Sequence, residues 1–279
     1  MIINIKSYFD IESTLFSGQV FRWRKIDDWY YGIINDKVVK VKQLDNAIEV
    51  HCDDIDEVLL SDLTNKYFNL DLNINKIYNQ LSKDEFIKNS IKKHKGMRIL
   101  KQDPWECLIS FICSSVSNIK RISKNIEDLC LNLGDNIHLS NYYRQSFPKP
   151  KDIIYAGPDL LRELKFGFRS EYIYESAKMI ESGEILLDKI YELPYDESLK
   201  ILTAFPGVGD KVANCVLLFG FNKLDAFPVD VWINRAITNN YLGGGKLSAI
   251  LIRDWARRYF GDYAGYANHY IFHNIRLSN

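Results

Sequence analysis

The chain has 279 residues, of which 47% are hydrophobic and 26% are charged. This composition is that of a globular protein with room for one large domain or two modest ones, and it excludes a chain that is mainly disordered. Lys+Arg and Asp+Glu each number 36, so bulk positive charge cannot hold a nucleic acid. Any nucleic-acid site must be local.

Cysteine usage and hydropathy limit the compartment. The five cysteines are an odd number and include no CxxC pair, which argues against a disulfide scaffold and against clustered zinc ligands. No apolar run approaches the ~18 residues of a membrane span, and the first residues lack the features of a secretory signal. We therefore expect a soluble cytoplasmic protein with no membrane partner.

The first part of the chain has the pattern of a β-sheet. Between residues 19 and 52, short runs rich in Val, Ile, Tyr and Trp are separated by the turn pairs Asp27-Asp28, Asn35-Asp36 and Asp45-Asn46. This spacing predicts an antiparallel meander. A later run from Lys83 to Lys101 carries seven Lys or Arg against two acidic residues, and it is a candidate phosphate-facing segment.

Beyond about residue 100 the apolar residues recur at helical spacing. A buried helix is predicted over 105–113, and a second is predicted from Ile119 to a stop before Gly134. Further helices are predicted on both sides of the segment 166–169. The fold class is therefore α+β, with an amino-terminal antiparallel β-sheet domain over 1–98 and an α-helical domain over 99–279.

Two predicted helices meet at a tight turn in the segment 196–222. A helix-like run ends at Phe205, Pro206-Gly207-Val208-Gly209 follows, and a second run begins at Asp210. Proline stops the first helix, and the glycines permit close backbone approach. A helix-hairpin-helix of this kind binds a DNA phosphate through backbone N–H groups, so it does not need a large positive charge. An ordinary packed corner between two helices is the alternative.

Two ionisable residues follow this turn. Lys211 lies in the first turn of the second helix, where a solubilising surface lysine is the alternative to a functional one. Asp230 follows Pro228-Val229 and precedes a new helical run, which is the position of an N-cap. A capping role and a functional role of this carboxylate are compatible.

Together these segments resemble the helix-hairpin-helix DNA glycosylases that have a Gly/Pro-rich loop and an aspartate, the HhH-GPD superfamily. The resemblance rests on Leu202 to Ala213 and on Pro228-Val229-Asp230, whose carboxylate comes nineteen residues after the lysine. Three further segments are similar to the 8-oxoguanine DNA glycosylase branch. They are Ser17 to Trp23, Gln102 to Cys107 together with Ser110 to Ser115, and Gly167 to Arg169.

The resemblance implies an α+β glycosylase fold and a lysine Schiff-base mechanism. Lys211 would attack C1′ of the damaged nucleotide, expel the base and allow β-elimination to nick the strand. An amine attacks only when it is neutral, so burial or the helix amino terminus has to favour the uncharged form. Asp230 would stabilise the cationic sugar that develops as the base leaves.

The family's base pocket maps onto four positions of this chain. Phe272 would stack on one face of the flipped base, and Cys215 would lie against the other face. The main-chain carbonyl of Gly18 would accept the N7 hydrogen that 8-oxoguanine has and guanine lacks. Asn268 stands where the family commonly has a glutamine that reads the Watson–Crick edge. Core packing is the alternative role of Phe272 and Cys215.

The family's contacts to the opposite base and to the DNA also map onto this chain. Arg121 and Arg169 would read the orphaned cytosine, and Phe168 would act as an aromatic wedge. The full set is Val116, Ser117, Asn118, Arg121, Phe168, Arg169, Gly207, Gly209 and Trp232. Structural ion pairing is the alternative for each arginine.

Two departures from the family pattern affect this surface. Val116-Ser117-Asn118 replaces three asparagines, and valine cannot hydrogen-bond the orphaned base. Trp232 replaces a histidine that often contacts a phosphate, and its indole N–H brings no charge. We therefore expect looser opposite-base selectivity and a changed phosphate contact.

The expected partner is double-stranded DNA that contains oxidised guanine, bound by a monomer near the nucleoid of a prokaryotic cell. No cofactor is expected to be required, and no iron–sulfur cluster is expected because no cysteine follows Cys215. His269 and His273 lack a third ligand nearby in sequence, so no metal site is expected there. Backbone carbonyls of the hairpin are expected to be able to hold a structural cation.

Three alternative functions were weighed against this hypothesis. A glycosylase for another damaged purine is one, although alkylbase-excising relatives lack the lysine that Lys211 provides. A non-catalytic DNA-binding module is the second, and Lys211 together with Asp230 argues against it. A metabolic enzyme is the third, but the chain has no GxGxxG, GxxxxGK or HExxH motif.

Overall fold

A computed structural model describes residues 1–278. Its amino-terminal part contains a five-stranded antiparallel sheet with strand order β1-β5-β4-β3-β2. The strands are β1 (Ile2–Asn4), β2 (Arg24–Ile26), β3 (Trp29–Ile34), β4 (Lys37–Gln43) and β5 (Ala47–His51). The predicted meander is confirmed over β2 to β5.

The turns between these strands form because of their Asn and Asp residues. Asp27, Asn35 and Asp36 have φ values of 51°, 48° and 57°, in the left-handed region that short polar side chains tolerate better than most. Ile34 pairs with Lys37, so only two residues separate β3 from β4. Burial alternates along β3, which places one face of that strand on the core.

Helices make up most of the remaining chain, as the sequence predicts. They are α1 (Ile11–Leu15), α2 (Glu57–Tyr67), α3 (Ile74–Leu81), α4 (Glu85–Lys93), α5 (Pro104–Ile112), α6 (Ile119–Leu133), α7 (Pro150–Glu163), α8 (Arg169–Glu181), α9 (Tyr195–Leu202), α10 (Asp210–Phe219), α11 (Val231–Tyr241), α12 (Ala249–Phe260) and α13 (Ala264–Ser278). A small hairpin of β6 (Asn136–Leu139) and β7 (Tyr142–Gln145) follows α6. The α+β fold class is confirmed. Over residues 1–278, no helix is both long and apolar enough to cross a membrane.

Buried apolar side chains form two clusters. One joins the sheet to α1 and α2, and its members lie between residues 3 and 70 together with Leu100. The other contains Phe21 and the buried faces of the helices from α3 to α13. Helices α3 and α4 therefore pack with the helical part of the chain although they precede residue 98. The division of the chain at residues 98 and 99 stays a prediction.

Arg98 connects these two parts of the molecule. Its side chain is fully buried, and its guanidinium donates to the carbonyl oxygens of Tyr8, Asn69 and Leu72 and to the hydroxyl of Ser7. Such a charge-assisted network fixes the segment after α4 against both the amino terminus and the end of α2. This basic residue therefore has a structural role and does not face solvent.

Candidate active site

An open cleft of about 1280 Å³ lies between the turn around Gly18, the loop after α5, helix α10, the start of α11 and helix α13. Ten of the predicted site residues line it: Gly18, Val116, Ser117, Asn118, Lys211, Cys215, Asp230, Trp232, Asn268 and Phe272. Five others lie outside its lining: Arg121, Phe168, Arg169, Gly207 and Gly209. The fold thus brings the predicted base-facing residues into one cavity from distant parts of the sequence.

The helix-hairpin-helix is formed by α9, the turn 203–209 and α10, which confirms the prediction for this segment. Gly207 has a φ of +73°, and a Cβ at this position would lie 2.2 Å from the ring of Tyr172. Gly209 is the N-cap of α10 and supplies no side-chain acceptor. The first N–H groups of α10 therefore lack helical partners and can donate to an anion.

Lys211 is the second residue of α10 and is half-buried at the cleft. Its Nζ donates to Ser114 Oγ at 2.8 Å and lies 5.4 Å from the centroid of the Phe111 ring. Ser114 Oγ in turn donates to the Phe111 carbonyl at 2.6 Å. The amine is thus held by the loop after α5, with a neutral hydroxyl as its acceptor.

Asp230 is the N-cap of α11, as its position before a helical run predicts. Its Oδ1 accepts from the backbone N–H of Ile233 at 2.8 Å. The carboxylate is half-buried and lines the same cleft as Lys211. One carboxylate oxygen caps α11, and the residue also lines the cavity. A capping role and an electrostatic role of Asp230 are therefore compatible.

Cys215 lies one helical turn after Lys211 and is almost fully buried. The pKa of its thiol is raised to about 11, chiefly by burial, with Lys211 acting to lower it and Asp230 to raise it. The thiol is therefore neutral at physiological pH and acts as a small apolar surface of the cleft. Lys211 and Asp230 both act on this thiol, so the two ionisable groups lie near the same residue.

Gly18 and Phe272 lie close together. Gly18 has a φ of +91°, and a Cβ there would lie 2.9 Å from Ile119 Cδ1 and 3.4 Å from Phe272 Cε1. A side chain at position 18 would therefore meet both steric and backbone strain. Asn268 is buried, and its Nδ2 donates to the carbonyl of Pro228 at 2.7 Å. That bond ties α13 to the segment before Asp230.

The loop after α5 differs from a regular turn. Val116 has a φ of +50° and is 89% exposed, which is strained for a β-branched residue. Ser117 Oγ is buried without a hydrogen-bond partner among the described residues. Asn118 is the N-cap of α6 and accepts from the backbone N–H of Arg121 at 3.0 Å. Asn118 therefore has a capping role that our sequence analysis did not predict.

The two arginines predicted to read the opposite base have different environments. Arg121 is exposed on α6, whereas Arg169 is buried under the loop after α5. The guanidinium of Arg169 donates to the carbonyls of Ser115 and Val116, the latter at 3.2 Å, and lies 4.5 Å from the ring centroid of Phe168. Phe168 itself is 55% exposed.

Several residues of the cleft were not predicted. They are Phe21, Phe111, Ser114, Phe219, Arg235, Lys246, His269 and Arg276. Ser114 lies within a segment that carried the family resemblance, so that signal could have identified it. Phe21 and Phe111 lie within such segments as well. The remaining five give no local signal, because their contacts join parts of the chain that are far apart in sequence.

The mouth of the cleft has a local excess of positive charge. Lys120, Arg235 and Lys246 line it, and none of the ion pairs within residues 1–278 includes them. The basic run from Lys83 to Lys101 contributes no residue to the lining. The structure therefore gives no support to that run as a phosphate-facing segment of this cleft.

No metal cluster is evident in the part of the chain that the structure describes. No group of three or more His, Cys, Asp or Glu side chains within residues 1–278 is placed to hold an ion. All five cysteines are free. His269 and His273 are buried.

The chain belongs to the HhH-GPD superfamily of base excision DNA repair proteins, whose family model matches residues 109–254. Within that superfamily it belongs to the 8-oxoguanine DNA glycosylase branch, since residues 1–108 match the 8-oxoguanine DNA glycosylase amino-terminal domain. The resemblance stated from the sequence motifs is thereby confirmed.

Similar proteins extend over most of the chain. A probable N-glycosylase/DNA lyase of Methanothermobacter thermautotrophicus is 30% identical and covers 97% of this chain and 94% of its own length. The N-glycosylase/DNA lyase OGG1 of Arabidopsis thaliana is 31% identical over 92% of this chain and 74% of its own. The 8-oxoguanine glycosylase/lyase of Clostridium acetobutylicum, solved with double-stranded DNA containing cytosine opposite 8-oxoguanine, has a TM-score of 0.93 at 32% identity and covers 100% of this chain and 98% of its own.

Proposed function

We propose that this protein is a bifunctional DNA glycosylase and AP lyase that excises 8-oxoguanine from duplex DNA. The observation that carries the proposal is the position of Lys211 and Asp230 in one cleft with Gly18 and Phe272. An amine, a carboxylate, a backbone turn and an aromatic ring are the groups that this chemistry needs. Membership in the 8-oxoguanine DNA glycosylase branch supports the same substrate.

Lys211 is the proposed nucleophile. Its neutral amine attacks C1′ of the damaged nucleotide, the C1′–N9 bond breaks, and the purine leaves with a proton. The resulting Schiff base between Lys211 and the opened sugar allows β-elimination, which breaks the strand on the 3′ side. Because the acceptor of the amine is the Ser114 hydroxyl, the attack breaks a neutral hydrogen bond and no ion pair.

Asp230 is the proposed electrostatic partner of this step. Positive charge develops on the sugar as the base departs, and a carboxylate held beside it stabilises that transition state. The N-cap hydrogen bond to Ile233 fixes the carboxylate before substrate arrives. A preorganised charge requires little rearrangement during the reaction, so this geometry supports the assignment.

The lesion base is proposed to lie between Phe272 and Cys215. The Gly18 carbonyl accepts the N7–H of 8-oxoguanine, and guanine presents an acceptor at the same position and is rejected. Asn268 is proposed to read the Watson–Crick edge. One of its amide hydrogens already binds the Pro228 carbonyl, so the remaining donor and the carbonyl oxygen are the groups available to the base.

The duplex is proposed to lie across the cleft mouth. Lys120, Arg235, Lys246 and Trp232 line that mouth and are suited to phosphate contacts. The hairpin glycines Gly207 and Gly209, which are both exposed, present backbone groups to a further phosphate. A cation bound by hairpin carbonyls stays part of this proposal, and no step of the reaction depends on it.

On the opposite strand, Phe168 is the proposed wedge, and Arg121 with Arg169 is proposed to read cytosine. Val116, Ser117 and Asn118 belong to the same surface. The solved Clostridium complex, which contains cytosine opposite 8-oxoguanine, supports cytosine as the preferred partner. We further propose that the protein acts as a monomer, since one chain lines the whole cleft. Its proposed location is the nucleoid of a prokaryotic cytoplasm.

The test is product analysis on a duplex with a single 8-oxoguanine opposite cytosine. Wild type should release free 8-oxoguanine and nick the strand, whereas Lys211→Gln should lose both activities. Release of the base without a nick would contradict the lyase half of the proposal. Binding without release of the base would indicate a non-catalytic module. No release from this duplex, with release from a second duplex that carries another damaged purine, would indicate a different glycosylase.

A further inference from the structure

Helix α13 is tied to the turn that contains Gly18 at three points. His269 Nε2 lies 2.8 Å from Ser17 Oγ, the guanidinium of Arg276 donates to the Phe16 carbonyl, and the Phe272 ring lies so close to Gly18 that a Cβ at position 18 would be 3.4 Å from its Cε1. Residues 269, 272 and 276 recur at helical steps of three and four, so they share one face of α13. The turn is thus attached to the helix that carries the proposed stacking ring.

The hydroxyl of Ser17 is fully buried and uses all of its hydrogen-bonding capacity. It donates to the Thr14 carbonyl at 3.0 Å and accepts from Gln19 Nε2 at 3.1 Å. With its hydrogen directed to the Thr14 carbonyl, the hydroxyl keeps two acceptor lone pairs, and we infer that one of them accepts an Nε2–H from His269.

Two features fix the imidazole of His269 in this role. Its ring packs edge-on against Phe219, with centroids 5.2 Å apart and an interplanar angle of 65°. Burial, together with the neighbouring His273 and Arg276, lowers its pKa to about 3. The ring is therefore neutral at physiological pH and contributes a directed hydrogen bond without a charge.

The other flank of the turn is held as well. The Gln19 carbonyl accepts from Gln102 Nε2 at 2.8 Å, and its side-chain Oε1 accepts from the backbone N–H of Leu100 at 2.8 Å. Gly18 is therefore the one residue of the 17–19 segment without a side chain to anchor, and the direction of its carbonyl depends on how its two neighbours are held. On the Ser17 side, the hydrogen bond between His269 of α13 and the Ser17 hydroxyl holds the neighbour of Gly18 in place.

We propose that His269 is a positioning residue that sets the direction of the Gly18 carbonyl relative to Phe272 and thereby determines how well 8-oxoguanine is distinguished from guanine. This rests on the proposed function and on the role of Gly18 within it. His269 does not contact the reacting atoms, so its loss weakens the recognition of the base and spares the steps after the base has left. An abasic site has no base to recognise, which separates the two effects.

The test uses His269→Leu, which removes the donor and keeps apolar bulk, and His269→Gln, which returns an amide N–H near the position of Nε2. Two single-turnover rates are measured: release of 8-oxoguanine opposite cytosine, and cleavage at a preformed abasic site opposite cytosine. His138→Leu is the matched control, because His138 is exposed on β6 and does not line the cleft.

We expect His269→Leu to slow base release by about tenfold while abasic-site cleavage stays within about twofold, which is the size of effect for one lost hydrogen bond. His269→Gln should recover most of the release rate, and His138→Leu should match wild type. Equal losses in both rates, or unchanged base release, would overturn the proposal. If His269→Leu does not fold, Ser17→Ala removes the same bond from the other side and should show the same selective loss.

Failure of the proposed function would look different. Wild type would then release no 8-oxoguanine, and the His269 variants would have no rate to change. Release by wild type with no effect of His269→Leu would overturn the positioning role alone.

Discussion

The two sides of the cleft are built differently. On the lesion side, the Gly18 turn, α13 and the segment before Asp230 are joined by the buried hydrogen bonds His269–Ser17 and Asn268–Pro228. On the opposite-strand side, Val116 is 89% exposed at a positive φ, and Phe168 is 55% exposed. The first side is organised without DNA, and we infer that the second reaches its working form only on DNA.

The contacts of Arg169 support this inference about the second side. Its guanidinium is occupied by the carbonyls of Ser115 and Val116, while its buried Nε has no partner within residues 1–278. Reading of an orphaned cytosine would exchange those carbonyls for the base. The proposed role of Arg169 therefore couples opposite-base recognition to the strained loop at Val116, whereas the proposed lesion contacts involve no bond to that residue.

The largest expected effect lies on the lesion side. Asp230→Asn keeps an N-cap for α11, because asparagine caps helices as well as aspartate does, but it removes the negative charge. Base release should slow by roughly 10²–10³-fold with little change in melting temperature. Asp56→Asn, at the exposed N-cap of α2, is the matched control and should keep full activity. Equal activity of the two variants would contradict the role of Asp230.

The second prediction separates the two arginines of the opposite-strand side. Arg121→Ala should reduce the preference for cytosine by about tenfold without lowering the melting temperature, since Arg121 is exposed. Arg169→Ala should reduce the preference similarly and also lower the melting temperature, because it leaves the buried Phe166 carbonyl, which accepts from Nη1 at 3.3 Å, unpaired. Excision opposite each of the four bases, with thermal unfolding, checks both. A melting temperature unchanged by Arg169→Ala would contradict the buried contacts.

The third prediction concerns pH and the buried histidine of the lesion side. Burial lowers the pKa of His269 from 6.5 to about 3, so between these values the unfolded chain binds a proton that the folded chain does not. The free energy of unfolding should therefore fall as pH decreases through 6.5, by about 2 kcal/mol from His269 between pH 7 and pH 5. Urea unfolding of wild type and His269→Gln should show that this loss shrinks in the variant. An unchanged pH dependence would contradict a neutral buried imidazole.

The smallest expected effect comes from Val116, on the opposite-strand side of the cleft. Asparagine tolerates a positive φ better than valine, so Val116→Asn should raise the free energy of unfolding by about 1 kcal/mol. It also returns a hydrogen-bonding group to the loop, so the preference for cytosine should increase. Chemical unfolding and opposite-base kinetics measure the two effects. Lower stability of Val116→Asn would show that the loop is not strained at this residue.

The elements and motifs that depend on local sequence were predictable. Pro206 to Gly209 identifies the hairpin because a proline stop and two glycines have few other uses between helices. The turn pairs of the meander were equally informative, since Asn35 and Asp36 adopt the positive φ values that such turns need. The N-cap role of Asn118 could also have been predicted, because an asparagine directly precedes the apolar helical run of α6.

Contacts between distant segments were not predictable. Lys211 and Ser114 are 97 residues apart, and His269 and Ser17 are 252 residues apart, so no periodicity or spacing connects them. Arg169 illustrates a second limit. The sequence gives an arginine next to an aromatic residue, but its burial under the Val116 loop depends on how α8 packs beside the end of α5.

The most direct test of the central claim is to trap the enzyme on an 8-oxoguanine:cytosine duplex with borohydride and to map the adduct by peptide mass spectrometry. The amine that attacks the sugar becomes permanently attached to the DNA, so the modified residue identifies the nucleophile. We predict a single modified peptide carrying the adduct on Lys211, and no adduct with Lys211→Gln. An adduct on another amine, or undiminished trapping of Lys211→Gln, would contradict the proposed mechanism.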